Sequence, residues 1–244
     1  MLQGNHKIPL RINKILKNSP LKNSLLKNRS HLWAGLLILA SLLFTSPLQA
    51  QDGISRTSGA AAVWLDKLRI SLRNLNYRIS FVVSQPNAES EPYLWRHGIV
   101  DGVEMEHLSL LNGPGREAFR IGSKVSYFEP AGQPYSIRSN YINGPIPIQF
   151  FKAPELLQNA YDIVLVGKSR ISGLAAQQIR IISRDNSRYS FTAWLDQDTG
   201  LLLKLDMHDL EGKLIEQMQV TSLHISEQPD EYFAKIEQDK FCLL

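Results

Sequence analysis

From Tyr77 to Ile225 the apolar residues fall in short runs, many of them alternating, separated by turns of only a few residues. Together these two features restrict the chain to an antiparallel sheet. The first run sets the pattern: Tyr77, Ile79, Phe81 and Val83 alternate with Arg78, Ser80 and Val82, which fits a half-buried strand. Strand-like runs follow over 93–100, 103–111, 117–121 and 124–128, divided by Asp101-Gly102, Asn112-Gly113-Pro114-Gly115 and Gly122-Ser123. Further runs cover 161–168, 175–183, 189–196, 201–208 and 214–225, joined by Ser172-Gly173, Asp185-Asn186-Ser187, Asp198-Thr199-Gly200 and Glu211-Gly212. A parallel pair needs a crossover of about a dozen residues or more, so these junctions permit only hairpins.

Two helices are expected beside the strands. Over 60–75, Trp64, Leu68, Leu72 and Leu75 recur at helical spacing with Lys67, Arg69 and Arg73 between them, and a short helical stretch covers 154–160. The fold class is therefore mainly β with few helices. About ten strands in one open sheet tend to curl, and the strongly curved antiparallel sheet becomes an open half-barrel whose trough a helix, a loop or a ligand must fill.

One segment breaks the regularity. Tyr141 to Phe151 reads YINGPIPIQFF, with Pro145 and Pro147 opposing regular pairing. The expectation is a plug for the open end of the trough, with a movable lid over an apolar ligand as the alternative. The candidate lining residues are Tyr141, Ile146, Ile148, Phe150 and Phe151, together with Phe81, Tyr127, Phe191 and Trp194. Phe191 and Trp194 lie on opposite faces of one strand, so only one can face the trough.

The first fifty residues are of a different kind. They hold seven basic residues (Lys7, Arg11, Lys14, Lys17, Lys22, Lys27 and Arg29) and no acidic one. The whole chain has 27 Lys and Arg against 23 Asp and Glu, so the remainder holds 20 basic against 23 acidic, a net of −3. Leu32 to Phe44 carries no charge in its thirteen residues and ends before Thr45-Ser46-Pro47-Leu48-Gln49-Ala50. That layout is a secretory signal peptide over 1–50, cut after Ala50, with an uncleaved anchor as the alternative. The expected order continues with a flexible stretch over 51–59, one domain over 60–228 and a tail over 229–244. With the basic excess confined to the leader, nucleic acid is not an expected partner. The destination is an exported compartment.

Motifs for catalysis and metals are weak. Gly167-Lys168-Ser169 resembles the end of a phosphate loop, but Asp162 stands where its first glycine belongs. Asp196, Asp198 and Gly200 resemble part of a calcium loop, yet Met207 stands at its twelfth position, and a polar hairpin turn explains them. Glu104 and Glu106 share a strand face with His107 on the other, and the expectation is a solvated face. No nucleophile elbow occurs, His97, His107, His208 and His224 show no paired spacing, and Cys242 lies in a polar tail. No cofactor, metal site or enzymatic activity is expected. Arg180, Arg184 and Arg188 gather at one hairpin as a candidate anion edge, or as charges that discourage edge pairing.

Several longer strings carry a resemblance: Tyr93-Leu94-Trp95-Arg96-His97, Asn112 through Glu117, Val125 through Pro130, Tyr161-Asp162 with Val166-Gly167, and Arg184-Asp185 through Arg188-Tyr189-Ser190 to Trp194-Leu195-Asp196. In these, the chain resembles the N-terminal domain of the RseB/MucB family, periplasmic regulators of the envelope-stress sigma factor. The resemblance implies a half-barrel similar to the lipoprotein carriers LolA and LolB. It also implies a function in the periplasm: binding the periplasmic part of a membrane-anchored anti-sigma factor, shielding it from proteolysis, and releasing it on binding lipopolysaccharide or another acyl lipid. A lipoprotein or lipid carrier of the LolA type is the alternative, and a homo-oligomer stays open. Family members continue into a smaller C-terminal domain, whereas this sequence stops at Leu244, which is read as a truncated linker.

Overall fold

The computed structural model describes residues 52–236, with side chains from Gly59 onward. The expected leader and Cys242 lie outside the described residues. In chain order the elements are α1 (Asp52–Asn74), β1 (Asn76–Ser84), β2 (Glu91–Val100), β3 (Val103–Leu110), β4 (Glu117–Ile121), β5 (Lys124–Phe128), β6 (Tyr135–Arg138), a 3-10 turn (Ile148–Phe151), α2 (Pro154–Gln158), β7 (Tyr161–Ile171), β8 (Leu174–Ser183), β9 (Ser190–Asp196), β10 (Leu202–His208), β11 (Leu214–Ser226) and α3 (Glu231–Ala234).

All eleven strands belong to one sheet, in the order β6-β5-β4-β3-β2-β1-β11-β10-β9-β8-β7. Every neighbouring pair is antiparallel. Two meanders thus run outward from the centre, where β1 pairs with β11. The sheet is not closed into a barrel, because β6 and β7 remain at opposite edges. The turns follow their chemistry: Asp101-Gly102 and Ser172-Gly173 both place two successive residues at positive φ, with values of 50° and 79° and of 49° and 85°. That is the tight turn whose twist matches the strands it joins.

On the inner face, α1 lays Ala61, Leu65, Leu68 and Leu72 against the sheet, all buried. The buried stripe is turned from the expected one, with Leu65 at its centre and Trp64 only packed at its margin, where Lys67 Nζ stands 5.0 Å over the indole. Residues 52–59, expected to be flexible, continue the helix backbone as far as Gly59. Lys67 Nζ donates to Gln197 O at 2.8 Å, and Ser71 Oγ donates to Thr199 O. The helix is thereby tied to the β9–β10 turn, where Asp196 Oδ2 accepts from Thr199 N at 2.9 Å and Thr199 Oγ1 at 2.7 Å. Those bonds account for Asp196 as a turn residue.

The topology explains the irregular apolar segment. A chain leaving edge strand β6 must reach β7 at the opposite edge, and residues 139–160 make that passage. Ile142, Ile146, Phe150 and Leu157 are buried along it. Phe150 meets Phe191 edge-on at 5.6 Å, and Phe151 meets Trp95 at 6.3 Å. Ile146 and Phe150 join the same core cluster as Phe81, Trp95, Ile179 and Leu203.

Candidate functional site

The connector fills only part of the inner face. Toward the β6 edge it leaves an open cleft of about 390 Å³, at the lower end of the ~300–1,000 Å³ range of small-molecule sites. Strand alternation supplies the floor: Leu108, Ala118, Tyr127 and Tyr135 stand opposite one another across β3 to β6, and Val83 and Tyr93 add to it from the same face of β1 and β2. Tyr93 stacks on Phe81 at 5.3 Å and Tyr127 on Tyr135 at 5.2 Å. Asn143, Gly144 and Pro145 of the connector form one wall, and Asn143 N donates to the Tyr127 hydroxyl at 2.8 Å. Gly144 permits this approach: a Cβ there would lie 2.7 Å from Leu108 Cδ2.

The rim is polar and more acidic than basic. Arg116 lies 3.9 Å from Glu91 Oε1 and 3.7 Å from Glu129 Oε2, and Glu216 accepts from Gln85 Nε2 at 2.7 Å. Burial, and then the hydrogen bond the Tyr93 hydroxyl gives to Glu91, push that phenol up to about 12.

Beside the cleft, beneath residues 142–146, lies a small void of about 20 Å³ bounded by Phe81, Trp95, Glu106, Ile142, Ile146 and Phe151. It shares Leu108, Gly144 and Pro145 with the cleft as a common wall. Trp95 and Glu106 are 5% and 4% exposed. Trp95 Nε1 and Glu106 Oε2 have no hydrogen-bond partner among the described residues.

The expectation of a solvated face at Glu104, Glu106 and His107 is overturned, since Glu106 and His107 are buried and Glu104 only partly exposed. Both faces of this part of the sheet are covered, so the usual alternation of inside and outside fails. On the inner face Arg120 Nη2 lies 2.5 Å from Glu104 Oε1 and 3.1 Å from Glu106 Oε1. His97 Nδ1 donates to Leu75 O at 2.6 Å, just past α1, while Nε2 meets Glu104 Oε1 at 3.2 Å. His97, Glu104 and Glu106 bring ligand atoms within 4.8 Å of one another, a spacing that would suit a cation. The guanidinium of Arg120 already supplies that positive charge, so the group reads as a buried ion cluster.

On the outer face residues 229–236 fold back over the sheet. Asp230 caps α3 by accepting from Tyr232 N at 3.0 Å. Tyr232 stacks on His107 at 4.6 Å and lies under the Arg96 guanidinium at 4.4 Å. Phe233 is buried against Gly98, where a Cβ would come within 3.1 Å of its ring.

The residues singled out in the sequence separate into groups. Phe81 and Phe191 are buried on the inner face and Tyr127 lines the cleft. Ile146 and Phe150 are core, while Tyr141, Ile148 and Phe151 are half-buried. Trp194 is the one that faces away: it shares the outer face with Lys204, whose Nζ stands 4.4 Å over its ring. Arg184 and Arg188 pair with Asp162 at 2.8 Å and Asp185 at 2.9 Å, and Arg180 is exposed on β8. Sequence reasoning missed Trp95, Glu106 and Arg120. The accessible signal was the pair of glutamates two residues apart, facing a lone arginine in the next strand.

A profile of the MucB/RseB N-terminal domain matches residues 60–241. The sigma-E factor regulatory protein RseB of Salmonella typhimurium is 33% identical over 197 residues, covering 80% of this chain and 59% of that protein. The sigma factor AlgU regulatory protein MucB of Pseudomonas aeruginosa is 30% identical over 197 residues, or 80% of this chain and 58% of that protein. The chain thus spans under two thirds of the length of these relatives. Among solved structures, the Pseudomonas aeruginosa MucA/MucB complex matches with a TM-score of 0.61 at 28% identity, over 74% of this chain and 62% of that one. MucB in complex with MucA(peri) matches with a TM-score of 0.56 at 29% identity, over 72% and 59%.

Proposed function

The chain belongs to the MucB/RseB family, and from that premise we propose that it is a periplasmic negative regulator of an envelope-stress sigma factor. In this reading it binds the periplasmic part of a membrane-anchored anti-sigma factor and protects it from regulated proteolysis. An acyl lipid or lipopolysaccharide entering the cleft releases the partner. The observation that carries the reading is the likeness to MucB, a protein solved in complex with MucA.

The physical requirement is a linkage between two sites. A ligand that prefers the partner-free form can shift the bound population only by its differential affinity for the two forms. Turning a 99:1 population into 1:99 takes about a 10⁴-fold preference. The connector offers the coupling, because residues 143–145 wall the cleft while Ile146 and Phe150 anchor in the core.

Carriage of a whole lipid or lipoprotein is the second reading. It is the weaker of the two, because α1 and the connector occupy most of the inner face and leave about 390 Å³ free, room for part of a lipid. A pull-down separates them. The purified protein is expected to retain a periplasmic anti-sigma domain and to lose it when lipopolysaccharide is added. Retention of a lipoprotein, with no retention of the anti-sigma domain, would establish the carrier instead.

A further inference from the structure

The outer face carries a row of guanidinium and imidazole groups. Arg78 pairs with His224 on one side and Arg96 on the other, and Arg96 pairs with His107, so the four stand abreast across β11, β1, β2 and β3. Beyond residue 50 the chain is acidic overall, which makes this concentration of donors local. Residues 229–236 lie over the row as a strap: Asp230 stands between the two arginines, Tyr232 packs on Arg96 and His107, and Phe233 seats over Gly98. The fit is incomplete. Asp230 Oδ2 is 3.5 Å from Arg96 Nε and 3.6 Å from Arg78 Nη1, beyond the ~2.7–2.9 Å of a charge-assisted hydrogen bond. Its other oxygen is committed to Tyr232 N, and Arg96 Nε has no hydrogen-bond partner among the described residues. Arg78 is half exposed, and an open pocket of about 380 Å³ lies beside it, lined also by His224 and Gln228. The four-residue helix α3 is far below the length that is stable alone, so contacts with the sheet must hold the strap.

We propose that this row is a docking groove for an acidic, aromatic-bearing segment of a partner protein, and that the strap is its built-in competitor. The strap displays the chemistry the groove accepts: a carboxylate over Arg78 and Arg96, then aromatic rings on His107 and Gly98. A segment with a further carboxylate would reach the pocket beside Arg78 and His224, which the strap leaves open. Glu117, 3.8 Å from His107 Nε2, closes the far end and sets the direction of the charge pattern. A basic segment would meet two arginines with no opposing charge. The strap's loose ion pairs suit exchange, because a segment that completes them displaces it at little cost. This inference goes beyond the regulatory reading, since it uses neither the inner-face cleft nor its ligand.

The test is fluorescence anisotropy with a labelled peptide reproducing residues 227–236, EQPDEYFAKI. Tyr232→Ala combined with Phe233→Ala removes the strap's two ring contacts and frees the groove. That variant is expected to bind the peptide about tenfold or more tightly than the unaltered protein, because apparent affinity falls with the fraction of molecules whose site is open. In the same background Arg78→Glu should weaken binding about fivefold or more, since it replaces attraction with repulsion. A peptide whose two central acids are changed to their amides should bind more weakly than the acidic one. Equal affinity in the masked and unmasked proteins, or for the acidic and amide peptides, would overturn the proposal. So would a freed groove that binds no peptide, and if it then binds phosphatidylglycerol vesicles the row is a membrane contact instead. Hydrogen exchange in the unaltered protein tests the strap without any variant. The Tyr232 and Phe233 amides are expected to exchange at least as fast as those of β6 while β2 stays protected. Strap amides as slow as those of β1 would make it a fixed part of the fold and end the proposal.

Discussion

Glu104 shows how one side chain can link acid sensitivity to tertiary structure. Burial alone would raise its carboxyl, but hydrogen bonds from His97 and Arg120 outweigh burial and hold it down to about 2, against 4.5 when unperturbed. A carboxyl depressed in the folded state contributes stability that is complete above its unfolded value and vanishes as pH falls through the folded one. Denaturant midpoints should therefore decline between about pH 4.5 and 2. Glu104→Gln should flatten that limb and cost about 1–3 kcal/mol at neutral pH. An unchanged acid limb in the variant would assign the sensitivity to other groups. The glutamate pair and the lone arginine were visible in the sequence, but their burial was not. Two glutamates on one strand face read as solvated because isolated buried charge is costly, and what makes burial tolerable is register: Arg120 and His97 stand opposite Glu106 in the flanking strands.

Among the elements, the connector from β6 to β7 combines core and cleft wall in one segment. Phe150 is 2% exposed and meets Phe191, whereas Phe151 is only partly buried. Phe150→Ala should cost about 3–5 kcal/mol in urea unfolding, with Phe151→Ala clearly milder. Equal, small losses from both would mean that the connector bears little of the core. The long hairpins were legible from alternation and turn residues, and all ten of the expected strand runs appear with ends close to those anticipated. Strand β6 and helix α3 were not legible. Each has four residues, too few for a periodic signal, and each is stabilised by what it touches: β6 by pairing with β5, α3 by Tyr232 and Phe233 on the outer face. The apolar character of residues 141–151 was plain in the sequence, but its cause was not. Only the strand order shows that this segment must travel from one edge to the other.

For the molecule as a whole, stability should be graded from the middle outward. Strands β1 and β11 are paired on both sides, with Phe81 and Val220 both buried in the core, while β6 is a four-residue edge whose Tyr135 and Ile137 are 49% and 44% exposed. Native-state hydrogen exchange is expected to give the slowest amides in β1 and β11 and the fastest strand amides in β6. Uniform protection across the sheet would indicate a single cooperative opening instead. The same central pairing governs assembly in time. Asn76 is matched with Ser226, so the seam at the middle of the sheet unites strands on the order of 150 residues apart, a contact of high loop-closure cost and slow formation. Each meander can form by local hairpins as the chain emerges, but neither can be joined to the other until the final strand is available. The two meanders thereby stay unsealed half-sheets until β11 has paired with β1, and a chain interrupted before that strand would lose the midline of its sheet.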